Sequence, residues 1–246
     1  MSFMSFNDYA NALLQQSEIV SRNQNSDIAE FLNRRNIVRI LHFSHVDNLD
    51  RILEYGLLSR NELLARSLPL TVSDQTRWDE LEDGICCSIS NPNRLMLQNK
   101  VRQMGPNFVV IEISANAILF KKFACFPGNA ARNEIKNLAR EHPNLFVGVH
   151  GLANLYLNWP VRHVYNLGAA QPTDPQSELV FFDEIPLVNL RRIHIPSNAS
   201  EEVLKSINGI ADKYEDLILE VSCEDGFFDS EPNSQYAQRN WQLDWK

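Results

Sequence analysis

The sequence predicts an α+β domain in which strands and helices of uneven length surround one core. Three observations carry that expectation. Strand-like runs rich in β-branched and aromatic residues recur near residues 36–44, 85–90, 107–114, 178–182 and 190–195. The helical stretches between them follow no regular βαβ period, which argues against a doubly wound sheet. Hydrophobic residues make up 44% and charged residues 22% of 246 residues, enough to fill a core and too apolar for wholesale disorder.

The elements follow in order. Residues 1–35 read as two short helices. Tyr9, Leu13, Leu14 and Ile19 lie near helical spacing, Asn23 to Ser26 interrupt, and Ile28 to Leu32 resume. Asn36 to Ser44 reads as a strand, and Leu49, Ile52 and Leu53 as a short helix that Gly56 stops. Ile85 to Ser90 is a second strand entered from the Asp83-Gly84 turn, and Pro92 opens a helix through about Gln103. Asn107 to Ser114 is a third strand, and residues 129–158 are largely helical with a break near Pro143. A polar loop at 164–176 precedes strands Glu178 to Phe182 and Leu190 to Ile195. After Ser197 come an amphipathic helix (Val203, Ile207, Ile210, Ala211), an apolar segment from Leu217 to Val221, and an acidic, partly aromatic end. The expected division is a helical segment at 1–35, a core at 36–197 and a helical and acidic tail at 198–246.

Composition narrows function. No basic start leads into an apolar run with a cleavage site, and no stretch nears the roughly 20 apolar residues that span a bilayer. A cytoplasmic protein without membrane contact is expected. The net charge of −8 argues against bulk electrostatic coating of duplex nucleic acid. It leaves room for a local basic groove taking a short single strand, with Arg34, Arg35, Lys100 and Arg132 as candidates or as solvated surface. Cys86, Cys87, Cys125 and Cys223 form no CxxC pair and read as reduced thiols, and the six histidines show no HExxH, so no metal is expected.

Four local patterns have chemical potential, each beside an ordinary explanation. In His42-Phe43-Ser44-His45, period-two alternation puts His42 and Ser44 on one strand face, where imidazole and hydroxyl can hold a ribose or amide edge. A satisfied structural histidine explains the same residue. In Ser88-Ile-Ser90-Asn91-Pro-Asn-Arg94, two serines share a face ahead of a helix. Ser90 or Asn91 as helix cap is the ordinary reading, and Arg94 suits pairing with a diphosphate. In Gln176-Ser-Glu178, a carboxylate heads an apolar strand, which is costly unless it is paired or exposed at an edge. In Gly128-Asn129-Ala-Ala-Arg132, Asn129 serves as N-cap or as a substrate contact.

Taken together and in this order, the patterns resemble the ADP-ribosyltransferase superfamily, and more narrowly the DarT family of DNA-modifying toxins. The segments that carry the resemblance are Ile40 to Leu49 with Ile52-Leu53 and Gly56-Leu57, Ser88 to Arg94 with Met96, Gly128 to Ala131, and Ser177 to Val180 with Ile185-Pro186. The resemblance implies a split β-sandwich of two facing sheets gripping NAD as co-substrate, with no metal. It implies Glu178 as the catalytic glutamate, and His42, Ser44, Ser88, Ser90, Asn91 and Arg94 around NAD. Gln176, with Arg162, His163 and Asn129, would meet the acceptor, a base of single-stranded DNA or RNA; a protein side chain as acceptor and a non-enzymatic nucleotide- or partner-binding member of the fold are the alternatives. An antitoxin partner, macrodomain or other, is implied as well. The Ile85-Cys-Cys-Ser-Ile-Ser90 approach and the Asn93-Arg94 spacing depart from the thymidine-modifying branch, which leaves the modified base open.

Overall fold

A computed structural model of the chain describes residues 11–17, 24–71, 77–213 and 220–228. Tyr9, Ile19, Leu217 and the acidic end after Phe228 lie outside the described residues. Among the described residues, seven strands form one sheet in the order β4-β5-β2-β1-β3-β6-β7. In chain order they are β1 (Arg39–His45), β2 (Ile85–Ile89), β3 (Phe108–Ser114), β4 (Phe123–Phe126), β5 (Glu178–Phe181), β6 (Leu190–Ile195) and β7 (Glu220–Cys223). All neighbours are antiparallel except β6 and β7. The helices are α1 (Asn25–Arg35), α2 (Leu49–Tyr55), α3 (Arg60–Ala65), α4 (Arg94–Met104), α5 (Asn133–Glu141), α6 (Gly148–Asn154), α7 (Trp159–Val164), α8 (Glu201–Lys213) and α9 (Asp225–Phe228), and residues 11–17 are helical too.

The strands alternate as their sequences require. Val109, Ile111 and Ile113 of β3 join Ile40, Ile85, Cys87, Ile89, Leu179 and Phe181 in the largest core cluster. Phe108 and Val110 point the other way, onto Leu41, Leu97 of α4 and Phe227 of α9. Under β4 and β5 a third cluster joins Ala124, Phe126 and Val180 to Ile135 and Ala139 of α5 and to Phe146.

The α+β class stands, and the expected pair of facing sheets takes the form of one sheet that is nearly divided. β1 pairs with β3 over seven residues, from Arg39↔Ser114 to His45↔Phe108. It pairs with β2 only at Ile40↔Ile89 and Leu41↔Ser88, after which the two strands part.

Several elements differ from the sequence reading. β4 was hidden because Phe123-Ala-Cys-Phe126 is four residues long, wholly buried and without alternation. α3 is capped by Ser59, whose hydroxyl accepts the Glu62 N–H at 3.2 Å, and α7 by Asn158. Both are six residues, too short for a periodic signal. Asn93, rather than Ser90 or Asn91, caps α4 by accepting the Met96 N–H at 3.1 Å. Asn129 is not an N-cap, because α5 begins only at Asn133. Beyond Ser197, α8 buries Val203, Ile207 and Ile210, β7 adds a strand to the sheet edge, and Phe227 enters the core.

Gly56 shows why α2 stops where it does. Its φ is +80°, and a Cβ there would lie 2.4 Å from the Ile185 carbonyl oxygen. That close approach allows Leu57 and Ile185 to exchange two 2.9 Å backbone hydrogen bonds, closing one end of the cleft.

Candidate active site

A cavity of about 270 Å³, open to solvent on one side, lies where β1 and β2 separate. Its lining reveals its orientation. Leu41, His42, Phe43 and Ser44 all contribute, as do Gly84 to Ser88. A pocket lying on one sheet face would take every second residue. This one takes consecutive residues from both strands, so it enters the sheet between them.

His42 spans the gap. Its Nδ1 lies 2.8 Å from the carbonyl oxygen of Cys86. A carbonyl only accepts, so Nδ1 carries the proton and Nε2 remains an acceptor. Burial lowers the His42 pKa against the help of that bond, and the charges of Arg51 and Arg77 lower it further, so the ring is neutral at pH 7. Ser44 is buried and accepts from the Asn48 amide at 3.2 Å. Asn48 also holds Thr71 at both ends, donating to its carbonyl at 2.9 Å and accepting its N–H at 3.0 Å. Ser88 is buried and accepts the Asn93 N–H at 3.1 Å, which leaves its hydroxyl proton to donate.

Glu178 heads β5 beside the cavity, next to Leu179, which pairs with Cys87 of β2, and opposite its own pair Phe126 on β4. Burial pushes its carboxyl up to about 8, and the negative charge of Asp79 adds to the rise. A hydrogen bond from the Ala130 N–H and the charge of Arg77 oppose it, and Asp174 adds to it. The Asn129 turn thus acts through its backbone. Asn129 Oδ1 accepts the Ala131 N–H at 2.8 Å, fixing the turn that presents Ala130 to the carboxylate. Asp174 does the same on the other side. It accepts the Gln176 N–H at 2.8 Å and pairs with Arg132 at 3.3 Å, clamping the two loops that flank Glu178 together.

Two residues central to this site escaped the sequence reading. Arg77 grips Asp79 with two 2.8 Å bonds and donates to the Gly84 carbonyl at 3.1 Å. Cys86 Sγ lies 3.4 Å from the same guanidinium and 3.5 Å from Asp79. One ligand atom each from Asp79, Cys86 and Glu178 fall within 4.8 Å of one another, a donor set a metal could use. The Arg77 guanidinium already supplies the positive charge there, and burial drives the Cys86 thiol away from the thiolate a metal needs. Between these two residues, Trp78 is 68% exposed at the cavity rim, while its carbonyl is held by Lys136 at 3.1 Å. The sequence signal was a cation, an aromatic and an acid in succession within a polar loop.

The structure brings His42, Ser44, Ser88, Lys100, Asn129 and Glu178 to the cavity and places the other expected residues outside its lining. Ser90, in a left-handed conformation, donates to the Ala170 carbonyl at 2.8 Å. Asn91 is exposed, and Arg94 donates to the Gly226 carbonyl at 3.1 Å, against the C-terminal segment. Arg162 is buried beneath the 168–173 loop. It donates to the Gly168 and Gln171 carbonyls and to Thr173, and stacks on Tyr156. His163 is exposed on α7. Gln176 lies two residues before Glu178 and outside the cavity lining. Of the four cysteines, Cys87 and Cys125 are buried, Cys86 is half-buried and Cys223 is exposed. Among the described residues, no helix is long and apolar enough to cross a membrane.

A sequence model described as "DarT: ssDNA thymidine ADP-ribosyltransferase" matches residues 41–228. No curated protein matches the sequence. Among solved structures, Thermus sp. 2.9 DarT in complex with carba-NAD+ aligns with a TM-score of 0.53 at 16% identity, covering 78% of this chain and 98% of that one. The same Thermus protein in complex with ADP-ribosylated ssDNA aligns with a TM-score of 0.52 at 15% identity, covering 79% and 97%. At such identities these likenesses are of fold.

Proposed function

The chain belongs to the DarT family of NAD-dependent ADP-ribosyltransferases, and on that premise we propose that it transfers ADP-ribose from NAD to a base of single-stranded DNA, with Glu178 as the catalytic residue. The carrying observation is Glu178 itself, a carboxylate desolvated in the divided sheet, bonded by Ala130 and lining one cavity with His42 and Ser88. Membership of the family fits the donor set found there. The cavity offers a neutral imidazole acceptor, hydroxyls and cations to a dinucleotide, and at about 270 Å³ it approaches the small end of small-molecule sites.

NAD, when bound, supplies the ribosyl carbon and, in nicotinamide, a leaving group that departs as a neutral molecule. No general acid is therefore needed. Glu178 provides negative charge beside a sugar that turns oxocarbenium-like in the transition state, and accepts a bond from a ribose hydroxyl. A cationic ligand beside the carboxyl counteracts the Asp79 charge and draws Glu178 to its ionised form. His42 Nε2 accepts from ribose, which fixes the sugar for attack. As the bond from the ribosyl carbon to the base nitrogen forms, that nitrogen gives up its proton, and Glu178 receives it. Trp78 at the rim offers an aromatic face to an unpaired base, the form of base such a site can reach.

The same membership supports a toxin role in a toxin–antitoxin or phage-defence system, with a macrodomain or other antitoxin as partner. Growth arrest on induction, relieved by Glu178→Gln, tests that role.

The activity is tested by incubating the protein with NAD and short single-stranded DNA or RNA oligonucleotides of varied base, and weighing the products. One ADP-ribose mass gained on DNA, absent with Glu178→Gln, is expected and names the base. Gain on RNA, or on protein alone, would move the acceptor. No transfer and no nicotinamide release from folded protein would leave only a binding role.

A further inference from the structure

Arg51 has no role in the chemistry above, yet it occupies the cavity. It sits on α2 at 9% exposure and lines the cleft. Its Nε is buried without a hydrogen-bond partner, and no carboxylate among the described residues pairs with it. Burial lowers its pKa, but a guanidinium keeps its charge in a protein. A guanidinium partly withdrawn from water with an unpartnered Nε is a costly arrangement, and a ligand anion in the cavity would offset that cost.

The charge of the whole cavity points the same way. Its ionisable lining is Arg51, Arg60, Arg77 and Lys100 against Asp79 and Glu178. Arg77 is committed to Asp79, Arg60 pairs with Glu82 at 3.8 Å, and burial pushes Glu178 toward its protonated form. The cleft thus gathers four basic side chains and two acidic ones within a chain of net charge −8. A guanidinium fork matches phosphate oxygens better than any other side chain does. Depth chooses between the two sources of phosphate. A nucleic-acid backbone crosses a surface, while a small dinucleotide can bury its diphosphate. Arg51 also lies close enough to His42 to act on its charge, as a diphosphate adjoining the ribose requires.

We propose that Arg51 binds the diphosphate of the NAD co-substrate through charge-assisted hydrogen bonds, an inference that rests on the NAD-dependent reading of this site. The signal in the sequence is Asn48 and Arg51 at i, i+3, polar neighbours beside the apolar stripe of α2.

The test compares wild type with Arg51→Met, which keeps the unbranched stem, and Arg51→Lys, which keeps the charge. Binding is measured by calorimetry with NAD, ADP and the diphosphate-free nicotinamide riboside, beside KM and kcat for transfer. Arg51→Met is expected to weaken NAD and ADP binding about 10- to 100-fold. Nicotinamide riboside binding is expected unchanged, KM is expected to rise more than kcat falls, and Arg51→Lys should recover part of the loss. The ligand-free Arg51→Met protein should melt no lower than wild type, because no internal partner is orphaned. Equal losses for all three ligands, or a lower ligand-free melting temperature, would make Arg51 structural and overturn the inference. Unchanged NAD binding with weakened oligonucleotide binding would assign it to the nucleic-acid backbone instead. Wild type that binds no NAD at all would remove the functional reading and this inference with it.

Discussion

Replacing Glu178 by glutamine should destroy transfer and, at the same time, stabilise the fold in a pH-dependent way. The amide keeps the shape of the protonated acid and can still accept the Ala130 N–H. Folding raises the Glu178 carboxyl from 4.5 to about 8. Below pH 4.5 the acid is protonated in both folded and unfolded chains, so glutamate and glutamine should be nearly equal. Above pH 4.5 the unfolded chain ionises freely while the folded chain resists, and each pH unit costs the native protein about 1.4 kcal/mol. The penalty reaches about 3 kcal/mol at pH 7 and levels off near 5 kcal/mol above pH 8. For a chain of this size, the pH 7 difference corresponds to a melting point roughly 6 to 12 °C higher for Glu178→Gln. Thermal denaturation of both proteins from pH 5 to pH 9 measures it. A difference that stays constant with pH, or a variant less stable at pH 8, would refute the claim that Glu178 is held desolvated beside Asp79.

Other consequences are as direct. The free-enzyme kcat/KM should rise about tenfold per pH unit up to about pH 8 and then level, because the active form of Glu178 is the carboxylate; initial rates at low NAD across pH 6–9 check this. Arg77→Met leaves Asp79 as an uncompensated buried charge and should cost about 3–5 kcal/mol by denaturant unfolding, with transfer abolished. Trp78→Ala should raise the KM for the oligonucleotide about tenfold and leave NAD binding unchanged, since the side chain touches the rim alone. Exhaustive chelation should leave the rate unchanged, because Arg77 supplies the charge a cation would bring to Asp79 and Cys86.

Much of the frame was legible in the sequence. β1, β2, β3, β5 and β6 announce themselves by β-branched and aromatic runs, and α8 by the spacing of Val203, Ile207 and Ile210. Glu178 stood out because an acid opening an apolar strand needs a reason. The misses share a physical cause. β4 is buried on both faces, and α3 and α7 are too short to show a period. In Ser90, Arg94 and Arg162 the right residue types meet backbone carbonyls of other loops, contacts between positions 80 and 132 apart for the first two. Arg77 and Asp79 lie in a loop outside any periodic element, where a cation, an aromatic and an acid in succession were the one local sign of their pairing beside Cys86.

The parting of β1 from β2 after two paired residues has a consequence for how the site endures change. Past Leu41↔Ser88, the two strands no longer pair, and residues of both line the cavity. Proline apart, a substitution leaves a residue's main-chain donor and acceptor in place. A ligand recognised partly by the main chain there is recognised by the path of the chain. The side chains around it can then drift until proteins of one architecture agree at only 15% of aligned positions. Mutation is left free to explore the rim while the opening in the sheet keeps its shape.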